Sequence, residues 1–293
     1  MPTAFVLSGG GSLGAVQVGM LTALADHGLS PDLLVGSSAG ALNAAYVADH
    51  GFTPSALEEL SRTWCSLRRQ DVFPVAPHRQ LLALAGFRPS LCAPDNLRRL
   101  IASHLTVDRL EVTRIPVHVV ATDVLSGKEV VLSQGDPVAA VLASAAIPGV
   151  FPTVEVEGRA LFDGGVANNT PISQAVALGA DRVVVIPAGV ACALPVPPRS
   201  AIATAVHALT LLIEQRLVLD VAAYQDDVEL IVLPPLCPLS VSSTDFRSAA
   251  LLIERAEAAT RRWLDAGNHL LPHPERFLRL HEHDRLPTTE DAA

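Results

Sequence analysis

The chain has 293 residues, 49% of them hydrophobic, and a formal charge of −9. That length and apolar content can bury a large core and suit one substantial domain. The acidic balance argues against nucleic acid as a partner and against tight electrostatic capture by anionic lipid surfaces.

A strand-like run, Phe5 to Leu7, begins almost at Met1, so no secretory leader is expected. The run enters Ser8-Gly9-Gly10-Gly11-Ser12-Leu13-Gly14, and a helical stretch from Ala15 to His27 leaves that loop. Consecutive glycines let successive N–H groups turn toward one point, a concavity that suits an anion. Gly9, Gly11 and Gly14 also fit a G-x-G-x-x-G dinucleotide spacing, with Asp32 about where a ribose-binding acid would stand. Alone, the loop favours a nucleotide. The same amides would serve equally as an oxyanion hole for a nearby nucleophile.

A second strand, Leu33 to Val35, leads into Gly36-Ser37-Ser38-Ala39-Gly40 and a helix from Ala39 to Ala48. G-x-S-x-G between a strand and a helix is the sharp turn that exposes a serine hydroxyl, with Gly36 and Gly40 removing side chains from the bend. The helix aims its free N–H groups and positive dipole end at Ser38. Ser37 lies off the centre of the bracket and is expected to pack or hydrogen-bond.

Helices broken by loops follow over about residues 52–115, at Pro54 to Leu67, His78 to Ala85 and Pro94 to Leu105. This insertion reads equally as a lid lining an acyl pocket and as helices packed on the sheet. Strands are expected at Val117–Ala121 and Val130–Leu132, with Asp123 bonding to a turn. Phe162-Asp163-Gly164-Gly165 then ends a short apolar run, its glycines permitting a turn that leaves the Asp163 carboxylate projecting. Thr170 reads as a helix N-cap before Pro171.

Val183–Ile186 and Leu230–Leu233 complete the strand-like runs, and Thr244 to Trp263 reads as a scaffold helix. The apolar stretch Ala201–Leu219 is interrupted by Glu214 and Arg216, so no membrane span is expected. His207 in that stretch, or His269, would complete a Ser–acid–His order with Ser38 and Asp163. That fold places several strands before its nucleophile, whereas one precedes Ser38, and His207 reads as a helix-face residue. His273, His281 and His283 belong to a loosely ordered tail, 272–293, with no companions arranged for a metal. Cys65, Cys92, Cys192 and Cys237 lack C-x-x-C spacing and read as free thiols of a cytoplasmic protein. Alternating strands and helices indicate an α/β fold with a mostly parallel central sheet and helices on both faces, ligands lying at the strands' carboxyl ends.

The triple-glycine loop, Gly36-x-Ser38-x-Gly40 and Asp163-Gly164-Gly165 together resemble the patatin-like phospholipase family. Ala121-Thr122-Asp123, Ala143 to Pro152 and Asn168-Asn169-Thr170-Pro171 add to the likeness, which runs from about residue 3 to about residue 190. The resemblance implies a three-layer hydrolase domain over about residues 3–270. It implies a dyad of Ser38 as nucleophile and Asp163 as base, without a catalytic histidine. Gly10, Gly11 and Ser12 amides would form the oxyanion hole, with Gly9, Gly14, Gly36, Gly40, Gly164 and Gly165 as supporting glycines. No cofactor or metal is implied. The substrate would be a lipid or lipid-like carboxylic ester, reached through transient contact with a membrane surface; the sequence leaves the oligomeric state open. Ser8 and Leu13 stand where the family often has Asp and a basic residue, which leaves phospholipid and neutral ester both open. Two other classes stay open beside this one: a catalytically weak regulatory member, and a nucleotide-binding protein using the Gly9–Gly14 loop.

Overall fold

A computed structural model describes residues 1–74, 76–190, 192, 197, 201–274 and 278, without the side chains of 201–203, 205, 206, 209 and 214. His281, His283 and most of the 272–293 tail lie outside the described residues. In chain order the strands are β1 (Thr3–Leu7), β2 (Leu33–Ser37), β3 (Val117–Asp123), β4 (Glu129–Leu132), β5 (Val154–Val156), β6 (Arg159–Asp163), β7 (Arg182–Ile186) and β8 (Glu229–Val232). The helices are α1 (Gly14–Asp26), α2 (Ala39–His50), α3 (Pro54–Ser66), α4 (Arg69–Val72), α5 (Pro77–Leu84), α6 (Asp95–His104), α7 (Pro137–Ser144), α8 (Gly165–Asn168), α9 (Ile172–Ala177), α10 (Ala201–Tyr224) and α11 (Ala249–Asp265).

The sheet order is β5-β6-β3-β2-β1-β7-β8, with β4 also paired to β3. β3, β2, β1, β7 and β8 run parallel, and the strands β4 and β6 run against β3. β1 and β2 are buried throughout because both faces are covered, which is why each reads as a continuous apolar run. Successive side chains still alternate. Phe5, Leu7, Leu34 and Val119 join the core beneath α1, α2, α7 and α11. Ala4, Val6, Val35 and Val120 join a second core under α9 and α10. The expected mixed α/β fold, mostly parallel and covered on both faces, is the one observed.

The β5–β6 hairpin was not expected beyond its Phe162–Asp163 end. It turns through Glu157 and Gly158, both at positive φ, and its short strands are half exposed, too brief for a clear alternation. Its direction also changes how Asp163 reaches the site. β6 is antiparallel, so its carboxyl end does not share the edge where the parallel strands end. Register does the placing: Asp163 pairs with Ala121, one residue past the Val120 that pairs with Ser37.

Between α2 and β3, the insertion divides into two kinds of helix. α3 buries Leu57, Leu60 and Trp64, and α6 buries Leu97 and Ile101, all in the main core. α4 and α5 bury none of their residues. After β6 and α8, α9 begins one residue later than expected. Pro171 has non-helical ψ and is itself the N-cap, so Thr170 makes no side-chain cap.

Candidate active site

Ser38 joins β2 to α2 with φ 51°, a left-handed conformation that a serine adopts at a cost of about 1–3 kcal/mol. The bend is this sharp because α2 must pack directly against β1. A Cβ on Gly40 would lie 2.2 Å from the Leu7 carbonyl oxygen, so only glycine allows that approach. The Ser38 N–H donates to Ser144 Oγ at 2.8 Å, and Ser144 Oγ donates to the Val120 carbonyl at 2.5 Å. Ser144 therefore ties the elbow to β3. No role had been assigned to it, although it lies in the Ala143–Pro152 stretch that carries part of the family likeness.

Ser38 Oγ donates to Asp163 Oδ2 at 2.7 Å, and the Gly165 N–H donates to Asp163 Oδ1 at 2.8 Å. Both side chains are buried, at 8% and 7% exposure. Burial raises the Asp163 pKa to about 6 against the lowering effect of these two hydrogen bonds. Thr122 Oγ1 donates to the Asp163 carbonyl at 2.9 Å and receives the Ala167 N–H at 3.2 Å, fixing the strand-to-α8 junction. Gly164 and Gly165 adopt helical backbone angles; their role is space, since a Cβ on Gly164 would lie 2.1 Å from the Val120 oxygen.

The glycine loop is held from three sides. Ser8 Oγ accepts the Ala188 N–H at 2.9 Å, and the Gly9 N–H donates to the Asn169 carbonyl at 3.2 Å. The Ser12 N–H donates to the Ser243 carbonyl at 2.8 Å and is thereby engaged. Gly11, at φ 58°, lets the chain turn beside that carbonyl. The N–H groups of Gly10 and Gly11 have no hydrogen-bond partner among the described residues. Asn169 and Ser243 are positioning residues with no role expected from the sequence, although Asn169 lies in the Asn168–Pro171 stretch that adds to the family likeness.

Other sequence candidates fall away from this centre. Asp32 bonds through Oδ2 to the Thr3 N–H at 2.7 Å, at the start of β1 and the opposite strand ends from the glycine loop. A ribose-binding acid belongs at the loop's end of the sheet, so the nucleotide arrangement is not formed. Asp123 accepts from Leu125, Ser126 N–H and Ser126 Oγ in a turn, which lowers its pKa. His207 is half buried on α10 and lines neither cavity at Ser38. Ser37 packs, and its buried Oγ makes no hydrogen bond among the described residues.

Two cavities meet at Ser38, sharing Gly11, Phe73 and Ile147 in their walls. The narrower, about 80 Å³, follows α2 past Leu42 to Tyr46 and is closed by Leu60, Trp64 and Leu97. The wider, about 450 Å³, includes the glycine loop, Asp163, Asn169 and residues of α4, α5 and α10.

A family model described as patatin-like phospholipase matches residues 5–176. An uncharacterized NTE family protein of Mycobacterium tuberculosis is 30% identical over 183 residues, 62% of this chain and 48% of that protein. Patatin-like phospholipase domain-containing protein 7 of Mus musculus is 29% identical over 192 residues, 64% of this chain and 13% of that protein. The chain thus spans about half the length, or less, of the curated relatives it matches. Among solved structures, human GIVD cytosolic phospholipase A2 in complex with methyl gamma-linolenyl fluorophosphonate aligns with TM-score 0.49 at 12% identity, covering 92% of this chain and 58% of that one. VipD from Legionella pneumophila aligns with TM-score 0.48 at 17% identity, covering 90% and 67%.

Proposed function

The chain belongs to the patatin-like phospholipase family, and from that premise we propose that it is a serine acyl hydrolase cleaving carboxylic esters of lipid or lipid-like substrates. The observation that carries the reading is the 2.7 Å hydrogen bond from Ser38 Oγ to Asp163 where the two cavities meet. Ser38 Oγ attacks the ester carbonyl carbon while Asp163 takes its proton. The carbonyl oxygen becomes an oxyanion received by the free N–H groups of Gly10 and Gly11, with the α2 dipole supporting negative charge beside Ser38. Collapse breaks the ester bond, and Asp163 returns the proton to the leaving alcohol. Water, deprotonated in turn by Asp163, attacks the acyl-serine and releases the acid.

An unaided carboxylate is a weak base, with a reference pKa of about 3.9. Burial lifts Asp163 to about 6, nearer the working pH and still mostly ionised at neutrality. The narrow apolar cavity suits the acyl chain, since from Ser38 to Tyr46 it follows roughly 12 Å of helix. The wider cavity takes the alcohol portion. Leu81, Leu84 and Phe87 are exposed on and just after α5, whose Leu84 lines the wider cavity, and form the surface through which the enzyme touches a lipid aggregate.

The test is labelling with a fluorophosphonate probe read by intact mass, alongside hydrolysis of p-nitrophenyl esters. One adduct is expected on the wild type and none on Ser38→Ala, with hydrolysis lost in Ser38→Ala and Asp163→Asn. Hydrolysis persisting in Asp163→Asn would assign the base to another group.

A further inference from the structure

The wider cavity is lined almost wholly by apolar and uncharged polar groups. Among the described residues its charged side chains are Asp163, beside the nucleophile, and Arg69, the first residue of α4. The two have separate tasks. Asp163 is satisfied by Ser38 and the Gly165 N–H, and its pKa is raised, whereas an arginine beside it would push that pKa down. Arg69 is thus no counter-ion for the dyad.

It has no other carboxylate partner among the described residues. Arg62, Arg109, Arg182, Arg216, Arg247 and Arg261 each pair with an acid, and Arg69 does not. The acid on its own helix, Asp71, accepts the Arg68 backbone N–H at 2.8 Å. Arg69 is close enough to Cys92, in the same cavity wall, for its positive charge to oppose the burial that raises that thiol's pKa. Arg79, also near Cys92, is already committed, donating to Ser90 Oγ at 3.1 Å and the Cys92 carbonyl at 3.3 Å. Arg69, exposed and without an ion-pair partner among the described residues, therefore lines the same cavity as the nucleophile, in a chain whose net charge of −9 repels anions at long range.

We propose that Arg69 is a specificity-determining residue that receives a phosphate on the alcohol portion of the ester, so that phosphorylated lipid esters are preferred to neutral ones. This rests on the acyl-hydrolase reading for its role in turnover. The rigid donor fork of arginine matches phosphate oxygens in pairs. Arg69 is exposed to solvent, so it is open to an incoming phosphate while lining the same cavity as Ser38. A neutral alcohol portion gains nothing from Arg69.

The substrates that isolate this effect are 1-oleoyl-lysophosphatidate and 1-monooleoylglycerol, identical except for the phosphate, presented at fixed fraction in neutral detergent micelles. Arg69→Ala is expected to lower kcat/KM for the phosphate ester by about 10- to 100-fold, the range of a charged hydrogen-bonded contact. The neutral ester should change less than about two-fold, and Arg69→Lys should recover part of the loss. Equal losses on both substrates, or no loss on either, would overturn the assignment. Binding is measured separately by calorimetry with decyl phosphate, decanol and inorganic phosphate, none of them a carboxylic ester. Arg69-dependent binding of decyl phosphate above the other two is expected, and it would stand even if Ser38 failed to take a fluorophosphonate. Inorganic phosphate binding as tightly as decyl phosphate would refute a lipid-borne anion.

Discussion

Asp163 is held by two donors and almost no water, and that combination sets opposite demands on activity and stability. Its pKa is raised from 3.8 to about 6 by burial. As a base it must be ionised, so kcat/KM is expected to fall as pH drops through about 6 and to level off above it. A carboxylate ionises with little enthalpy, so this limb should stay in place between 15 and 35 °C (roughly the range in which the fold is safe). A limb that moves with temperature would indicate an imidazole. The stability effect has the reverse direction. The folded state binds the proton more tightly than the unfolded chain, so Asp163's favourable contribution is complete below about pH 3.8 and lost as pH rises through about 6. About two pKa units correspond to roughly 3 kcal/mol, an upper figure for a buried group. Asp163→Asn should therefore melt above the wild type at pH 8, with the gap narrowing toward pH 4. Thermal unfolding at both pH values checks this, and a variant less stable at pH 8 would contradict it.

At the scale of elements, the two halves of the site differ in how plainly they are written in the sequence. The elbow at Ser38 is local, because the glycines, the preceding strand and the following helix are contiguous, and its geometry follows from them. The Asp163 side of the pair is not local. Its level relative to Ser38 comes from pairing between β6 and β3, and strand register leaves little trace where a five-residue strand pairs over three positions. The loop donors were legible only as a group. Which amides stay free is decided by Ser243 and Asn169, more than 150 residues downstream in the case of Asn169, as its contact with Gly9 shows. α5 carries its own expectation. Leu81, Leu84 and Phe87, on or just after α5, are 70%, 70% and 79% exposed, and Leu84 lines the wider cavity, an arrangement that costs solubility unless it meets apolar material. Replacing Leu81 and Phe87 by Ser should lower turnover of lipid in vesicles several-fold and leave soluble short-chain esters unchanged. Parallel losses on both would make α5 part of the catalytic scaffold instead.

Across the whole molecule, the parallel strands and their covering helices were readable because burial on both faces writes uninterrupted apolar runs, as in Ala4 to Leu7 and Val183 to Ile186. The partnership of α1 with α11 was not readable. The two helices are separated by most of the chain, and the contact depends on a missing side chain. A Cβ on Gly19 would lie 2.2 Å from the Ile253 carbonyl oxygen and 2.7 Å from the Glu257 nitrogen, both backbone atoms of α11. Helix propensity alone favours Gly19→Ala by about 1 kcal/mol. The clash with unyielding backbone must outweigh that gain, because the helices can relieve it only by separating. A net loss of about 1–3 kcal/mol is expected, seen as a melting point lower by several degrees for a domain of this size. The damage should also reach the site. The segment leading into α11 contains Ser243, whose carbonyl holds the Ser12 N–H, so moving α11 loosens the glycine loop. Gly19→Ala is therefore expected to slow fluorophosphonate labelling of Ser38 at temperatures well below its melting point. A lower melting point with unchanged labelling would show that the loop holds its shape independently of α11.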